Sequence, residues 1–207
     1  MRVQRVALEK YTSNVFILEK EGEDFVWLVD IGEFEPVVKS LPASKWIKGV
    51  FLTHPHYDHM EGIQKLVEAF PGCLIAGSGE TLGALKNAKE NLSFYHEHPI
   101  EFSRSEQELE LVEGSMEIFP GIQMEIIATP GHYSGSFTFY TAGYWFTGDS
   151  LVPGHPVVTK LKGGDKNINQ ITLKNLFKKF EPEHWICPGH GKMIQASELV
   201  QTDYILR

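Results

Sequence analysis

Four residues able to bind cations, gathered within six positions, constrain this chain more than any other feature. The segment Thr53-His-Pro-His-Tyr-Asp-His-Met-Glu-Gly62 places His54, His56, Asp58 and His59 at the end of the apolar run Lys48–Thr53. From Met60 to Phe70 the spacing turns helical, with Ile63, Leu66, Val67 and Phe70 on one face, and Pro71-Gly72 stops it. A loop between a buried strand and a helix can project side chains into a cleft. At this composition the spacing H-x-H-x-D-H arises by chance in about 5 of ten thousand chains of this length. Side chains two apart in an extended turn point the same way, so His54 and His56 can grip one cation. Asp58 and His59 can then face a second. Imidazole with carboxylate suits zinc, iron or manganese, and zinc is favoured by supply and by its tolerance of tetrahedral sites.

A tight metal site needs more donors, and the chain offers them where other apolar runs end. Thr129-Pro-Gly-His132 follows Ile126-Ile-Ala128, Phe146-Thr-Gly-Asp149 follows Tyr144-Trp145, and Cys187-Pro-Gly-His190 follows His184-Trp-Ile186. In each, an apolar run gives way to a glycine that lets the backbone turn, and a ligand-type residue comes next.

The remaining runs indicate strands at Val3–Leu8, Asn14–Lys20, Phe25–Asp30, Cys73–Ala76, Leu109–Val112, Met116–Phe119, Gln123–Thr129, Ser136–Thr141, Tyr144–Thr147 and His184–Cys187. Helices are expected over Glu80–Phe94, Ile168–Phe180 and Ala196–Leu206. Strand-rich halves that each end in a helix suggest an α/β (α+β) chain of two sheets packed face to face with helices outside. The 207 residues show no linker or low-complexity tract, so one domain, 1–207, is the simplest organisation. The net charge of −8 disfavours non-specific nucleic-acid binding. Cys73 and Cys187 form no C-x-x-C pair and read as reduced core thiols. The first 20 residues lack the apolar core of a signal peptide and no stretch is long enough to span a membrane, so a cytoplasmic protein is expected.

The order T-H-x-H-x-D-H, then G-H, G-D and P-G-H-G resembles the metallo-β-lactamase superfamily from about Asp30 to His190. The resemblance implies a four-layer αββα sandwich and two divalent metal ions, most simply Zn²⁺, with Fe or Mn as alternatives. It assigns His54, His56 and His132 to the first metal, Asp58, His59 and His190 to the second, and Asp149 to the bridge. Asp30, in Val29-Asp30-Ile-Gly32, resembles the strand-end acid that supports the metal loop. Two metals sharing a water lower its pKa and provide the nucleophile, with Asp58 able to accept or relay the proton.

An acid at position 149 points away from antibiotic hydrolysis, and His56 away from oxygen-reducing flavodiiron members, which carry Glu there. Glyoxalase II-like thioesterases and lactonases keep this donor set. Tyr133, the segment Val152-Pro-Gly-His-Pro156 and the 17 residues after His190 depart from full-length glyoxalase II. The expectation is therefore hydrolysis of a small ester, thioester (hydroxyacylglutathione-like) or lactone. The alternatives are a mononuclear iron persulfide dioxygenase, a phosphodiesterase or ribonuclease of the same fold, and a non-catalytic binding module. His96, His98, His155 and His184 read as surface or satisfied core histidines, and Lys160, Lys162 and Lys166 as a solvated loop. Tyr57 and Tyr133 sit beside ligands and are candidates to line the pocket.

Overall fold

Phe25-Val-Trp-Leu-Val29 is buried at every position, as expected of a strand covered on both faces. It sits inside the first of two six-stranded sheets in the computed structural model, which describes residues 1–42, 44–104 and 106–200. The chain divides into two units, Met1–Leu111 and from Val112 onward, each with one of the sheets.

In the first unit, β1 (Arg2–Ala7), β2 (Asn14–Glu19) and β3 (Phe25–Val29) pair antiparallel. Next come β4 (Trp46–Phe51), β5 (Leu74–Gly77) and β6 (Glu108–Glu110), each parallel to the strand before it. Parallel neighbours need crossovers, and helices supply them. These are α1 (Phe34–Ser40), α2 (Tyr57–Met60) with α3 (Ile63–Ala69), and α4 (Gly79–Leu85). Alternation along the strands, reset by a bulge at Lys48 in β4, sends Val26, Leu28, Ile47 and Val50 into one buried cluster with Val37, Ile63, Leu66, Leu82 and Leu85 of the helices. Trp27 and Phe51 lie on the opposite face and stack at 4.7 Å.

In the second unit, β7 (Gly114–Phe119), β8 (Ile122–Ala128), β9 (Phe137–Thr141) and β10 (Tyr144–Gly148) form an antiparallel meander. After α5 (Lys166–Phe177), β11 (Trp185–Pro188) pairs parallel with β10, and β12 (Ile194–Gln195) closes the order. Asp165 caps α5 by accepting from the amides of Asn167 and Ile168 at 2.8 and 2.9 Å. Leu173, Leu176 and Phe177 of this helix pack on Trp145, Leu151 and Ile186.

Three helices differ from the sequence expectation. The stretch Met60–Phe70 is broken, because Gly62 leaves the helix to donate its amide to the Ile31 carbonyl at 2.9 Å. The run Glu80–Phe94 is helical only to Leu85, followed by a 3₁₀ turn at Ser93–Tyr95. There, Asn87 Oδ1 accepts from the amide of Lys89, and the Asn91 amide group donates to the Ile100 carbonyl at 2.9 Å, so asparagine side chains replace the helical ladder. Ala196–Glu198 forms a 3₁₀ turn, and residues 201–206 of the expected last helix lie outside the described residues. Among the described residues no helix is long and apolar enough to cross a membrane.

Candidate metal centre

The first unit carries four of the seven candidate donors after the carboxyl end of β4, beside the end of β3, where parallel sheets characteristically open a crevice. β3 ends at Val29, and Asp30 turns away with a left-handed φ of 59°. This conformation costs a non-glycine residue about 1 kcal/mol or more and persists only where surroundings fix it. They do so here. The Asp30 amide donates to the Phe51 carbonyl at 2.9 Å, and its buried carboxylate collects three donors. Oδ1 accepts from the Thr53 amide at 2.8 Å, while Oδ2 accepts from the Thr53 hydroxyl at 2.8 Å and from His59 Nδ1 at 2.9 Å. The Ile31 amide donates to the His59 carbonyl at 2.8 Å, and Ser13 Oγ donates to the Asp58 carbonyl at 2.7 Å. Gly32 passes beneath this turn so closely that a Cβ there would lie 2.2 Å from the Asp58 carbonyl oxygen.

His54, His56 and His59 are buried, with ring centroids 4.6 Å apart for His54 and His56 and 4.3 Å for His54 and His59. Asp58 is partly exposed, and its Oδ2 lies 3.4 Å from His59 Nε2. Donor atoms of His54 and His56, of His54 and His59, and of Asp58 and His59 come within 4.8 Å of one another.

The second unit holds the other three donors. His132 follows β8, with Gly131 at a φ of 135° pressed against Asn169 so that a Cβ would meet its Cα at 2.5 Å. The turn is secured by Thr172 Oγ1 donating to the Pro130 carbonyl at 2.6 Å and by the Asp165 amide donating to the Gly131 carbonyl at 2.8 Å. His132 Nδ1 donates to the Val158 carbonyl at 2.7 Å. Beside Asp149, Ser150 Oγ donates to the Thr129 carbonyl at 2.9 Å, which ties the end of β10 to the end of β8. The Gly189 amide donates to the Gly148 carbonyl at 2.8 Å, setting His190 next to Asp149. Asp149 Oδ2 lies 3.7 Å from His132 Nε2 and 3.5 Å from His190 Nε2.

These residues fit divalent metal ions on two counts. First, a carboxylate and a carbonyl can only accept, so His59 and His132 carry their protons on Nδ1 and present Nε2 as a lone-pair donor. Second, nitrogen and oxygen ligands about 2.1 Å from one tetrahedral ion stand about 3.3–3.5 Å apart. The three N···O separations, 3.4, 3.5 and 3.7 Å, lie near that spacing and beyond an ordinary hydrogen bond.

The other candidates fall elsewhere. Tyr57 is buried, stacks on His96 at 4.2 Å and donates to Glu61 at 3.1 Å. Burial, with Tyr11 and Glu61 alongside, pushes its phenol well above the usual range. Tyr133 is buried beneath Gly163. His96, His98, His155 and the three lysines, Lys160, Lys162 and Lys166, are exposed. His184 is a core residue whose Nδ1 accepts from Trp145 Nε1 at 3.0 Å. Thr53 and the Val158 carbonyl were not singled out from sequence. Thr53 had a signal in its place between the apolar run and the first histidine, whereas a backbone carbonyl 26 residues from its partner had none.

The matching family model is that of the metallo-β-lactamase superfamily, over residues 9–190. The chain belongs to this superfamily, and its two mixed sheets with flanking helices are the α/β sandwich fold of that family. Among relatives, it is 32% identical to the hydroxyacylglutathione hydrolase of Idiomarina loihiensis over 205 residues, 98% of this chain and 68% of that protein. The solved structure of BLEG-1, a B3 metallo-β-lactamase, matches with a TM-score of 0.85 at 20% identity, over 98% of this chain and 97% of that one. TTHA1623 in a di-iron-bound form matches with a TM-score of 0.79 at 26% identity, over 94% and 96% of the two chains. By this kinship the chain is a metallo-hydrolase of the fold, with His and Asp side chains able to hold metal.

Proposed function

We propose that the chain hydrolyses a small thioester, ester or lactone with two divalent ions, most simply zinc. In this reading His54, His56 and His132 would hold one ion, Asp58, His59 and His190 would hold the other, and Asp149 would serve both. The observation that carries it is the preparation of the donors, with His59 and His132 fixed in the tautomer a ligand needs and Asp149 Oδ2 bracketed by His132 and His190. The family model spans residues 9–190, which include all seven of these residues.

When bound, such ions supply a water of lowered pKa and polarise the substrate carbonyl. The chain's own part is positional and acid–base. Asp30 and the Val158 carbonyl orient their imidazoles, so those donors need little rearrangement during turnover. Asp58 is the candidate to accept the proton released when water attacks, because its carboxylate is partly exposed and held at the start of α2. An aspartate at position 149 and the kinship to a hydroxyacylglutathione hydrolase favour acyl transfer to water from a small-molecule substrate.

The test is zinc loading followed by hydrolysis of S-lactoylglutathione, with a chelator control. Chelator-sensitive turnover above a kcat/KM of roughly 10⁴ M⁻¹s⁻¹ supports a glutathione thioester as the substrate class. Two zinc ions per chain with no turnover removes that class and directs the search to lactones and other esters. Fewer than two ions per chain at saturating zinc overturns the dinuclear reading.

A further inference from the structure

We infer that Thr53 is a positioning residue that fixes His54 for metal binding, and that through it the single carboxylate of Asp30 governs one candidate ligand of each ion. This rests on the dinuclear reading above for the identity of the two ions, but its geometry lies wholly within the first unit. The hydroxyl of Thr53 donates to Asp30 Oδ2 at 2.8 Å and lies 3.0 Å from His54 Nδ1. A hydroxyl has one proton. With that proton directed at Asp30, Thr53 Oγ1 meets His54 as an acceptor, so His54 carries its proton on Nδ1 and leaves Nε2 as the lone-pair donor. His59 receives the same instruction directly, since its Nδ1 donates to the same carboxylate oxygen at 2.9 Å. Asp30 therefore sets two imidazoles, one by contact and one through a hydroxyl that can point only one way. All four residues are buried, so water does not compete for these bonds and the directionality holds.

A merely structural Thr53, useful only for holding the strand end, would leave the His54 tautomer unchanged on substitution. The experiment compares Thr53→Val, Thr53→Ser and Asp30→Asn with the parent chain. The first readout is the imidazole ¹⁵N shifts of the metal-free proteins at about pH 8.5, where free imidazole is neutral. The parent and Thr53→Ser should show His54 protonated on Nδ1, and Thr53→Val should move it toward the mixture of a free imidazole. The second readout is competition for zinc against a chromophoric chelator. Thr53→Val should weaken one of the two ions by on the order of 10–100-fold and Thr53→Ser should restore it, whereas Asp30→Asn should weaken both. Thr53→Ala serves in place of Thr53→Val if the latter does not fold. An unchanged His54 tautomer in Thr53→Val, or equal loss at both ions, overturns the inference. A parent chain that binds fewer than two zinc ions overturns the dinuclear reading instead, and the tautomer comparison still decides the role of Thr53.

Discussion

Replacing Gly32 by alanine tests whether the metal loop depends on how closely two backbone segments pass. A Cβ at position 32 would sit 2.2 Å from the Asp58 carbonyl oxygen, 2.7 Å from Leu8 Cδ1 and 2.9 Å from Ser13 Oγ. Ordinary contact begins at 3.4 Å, so the Asp30 turn and the start of α2 must separate by about 1 Å. The obstacle is backbone, which has no rotamer to escape into. Forcing a methyl group into such a space costs about 1–3 kcal/mol. The Ser13 Oγ bond to the Asp58 carbonyl, 2.7 Å long, lies in the path and adds about 1 kcal/mol when broken. A total near 3 kcal/mol lowers the midpoint of a chain this size by about 6–12 °C. The same movement carries Asp58 and His59 away from their set positions, so zinc retention should fall at one ion more than at the other. Calorimetry of the metal-free protein and chelator competition on the zinc-loaded protein measure the two effects. A Gly32→Ala chain that melts within 1–2 °C of the parent and holds zinc equally well would refute the close-approach reasoning.

Gly131→Ala should cost at least about 2 kcal/mol, because its φ of 135° and the Asn169 Cα at 2.5 Å both oppose a side chain; urea unfolding measures it. His184→Ala removes the acceptor of the Trp145 indole N–H and of the Glu181 amide, at about 2–4 kcal/mol, and should shift Trp145 fluorescence before any change in zinc content. Burial pushes the Cys73 thiol up to about 12 and raises Cys187 as well. An unfolded thiol loses its proton near pH 8.5. The folded chain keeps the proton longer, so stability is level below about pH 8.5 and falls as pH rises toward about 12. Urea midpoints between those values should decline, less steeply in Cys73→Ala.

The candidate metal loop stood out in the sequence because its chemistry and its place agree. His54, His56, Asp58 and His59 follow an apolar strand and precede a helix, and β4, α2 and α3 appear where that order puts them. What stayed hidden depends on partners distant along the chain. The spacing from Met60 to Phe70 runs unbroken, and only the Ile31 carbonyl, meeting the Gly62 amide, divides it. Helix α4 stops early because Asn91 finds Ile100, nine residues on. Helix α1 was not anticipated, its seven residues being too few for a period to declare itself and Pro36 suggesting a break, although proline is tolerated in a first turn. Strand β12 is two residues long and exists only as a partner of β11. Asp30 could be read as a supporting acid only through family resemblance, since nothing local shows that its carboxylate reaches both Thr53 and His59.

The backbone bonds that divide α2 from α3 also bear on how the loop breathes. Ile31 donates to His59 and accepts from Gly62, so the Asp30 turn and the ligand helix are laced together on both sides of Ile31. Neither strip can open without releasing the other, so the loop has no private fluctuation of its own. The amides of Ile31, Thr53 and Gly62 should exchange with solvent deuterium as one cooperative unit. Metal would then arrive at donors already in place, and its uptake would be limited by access and ligand exchange rather than by folding of the loop.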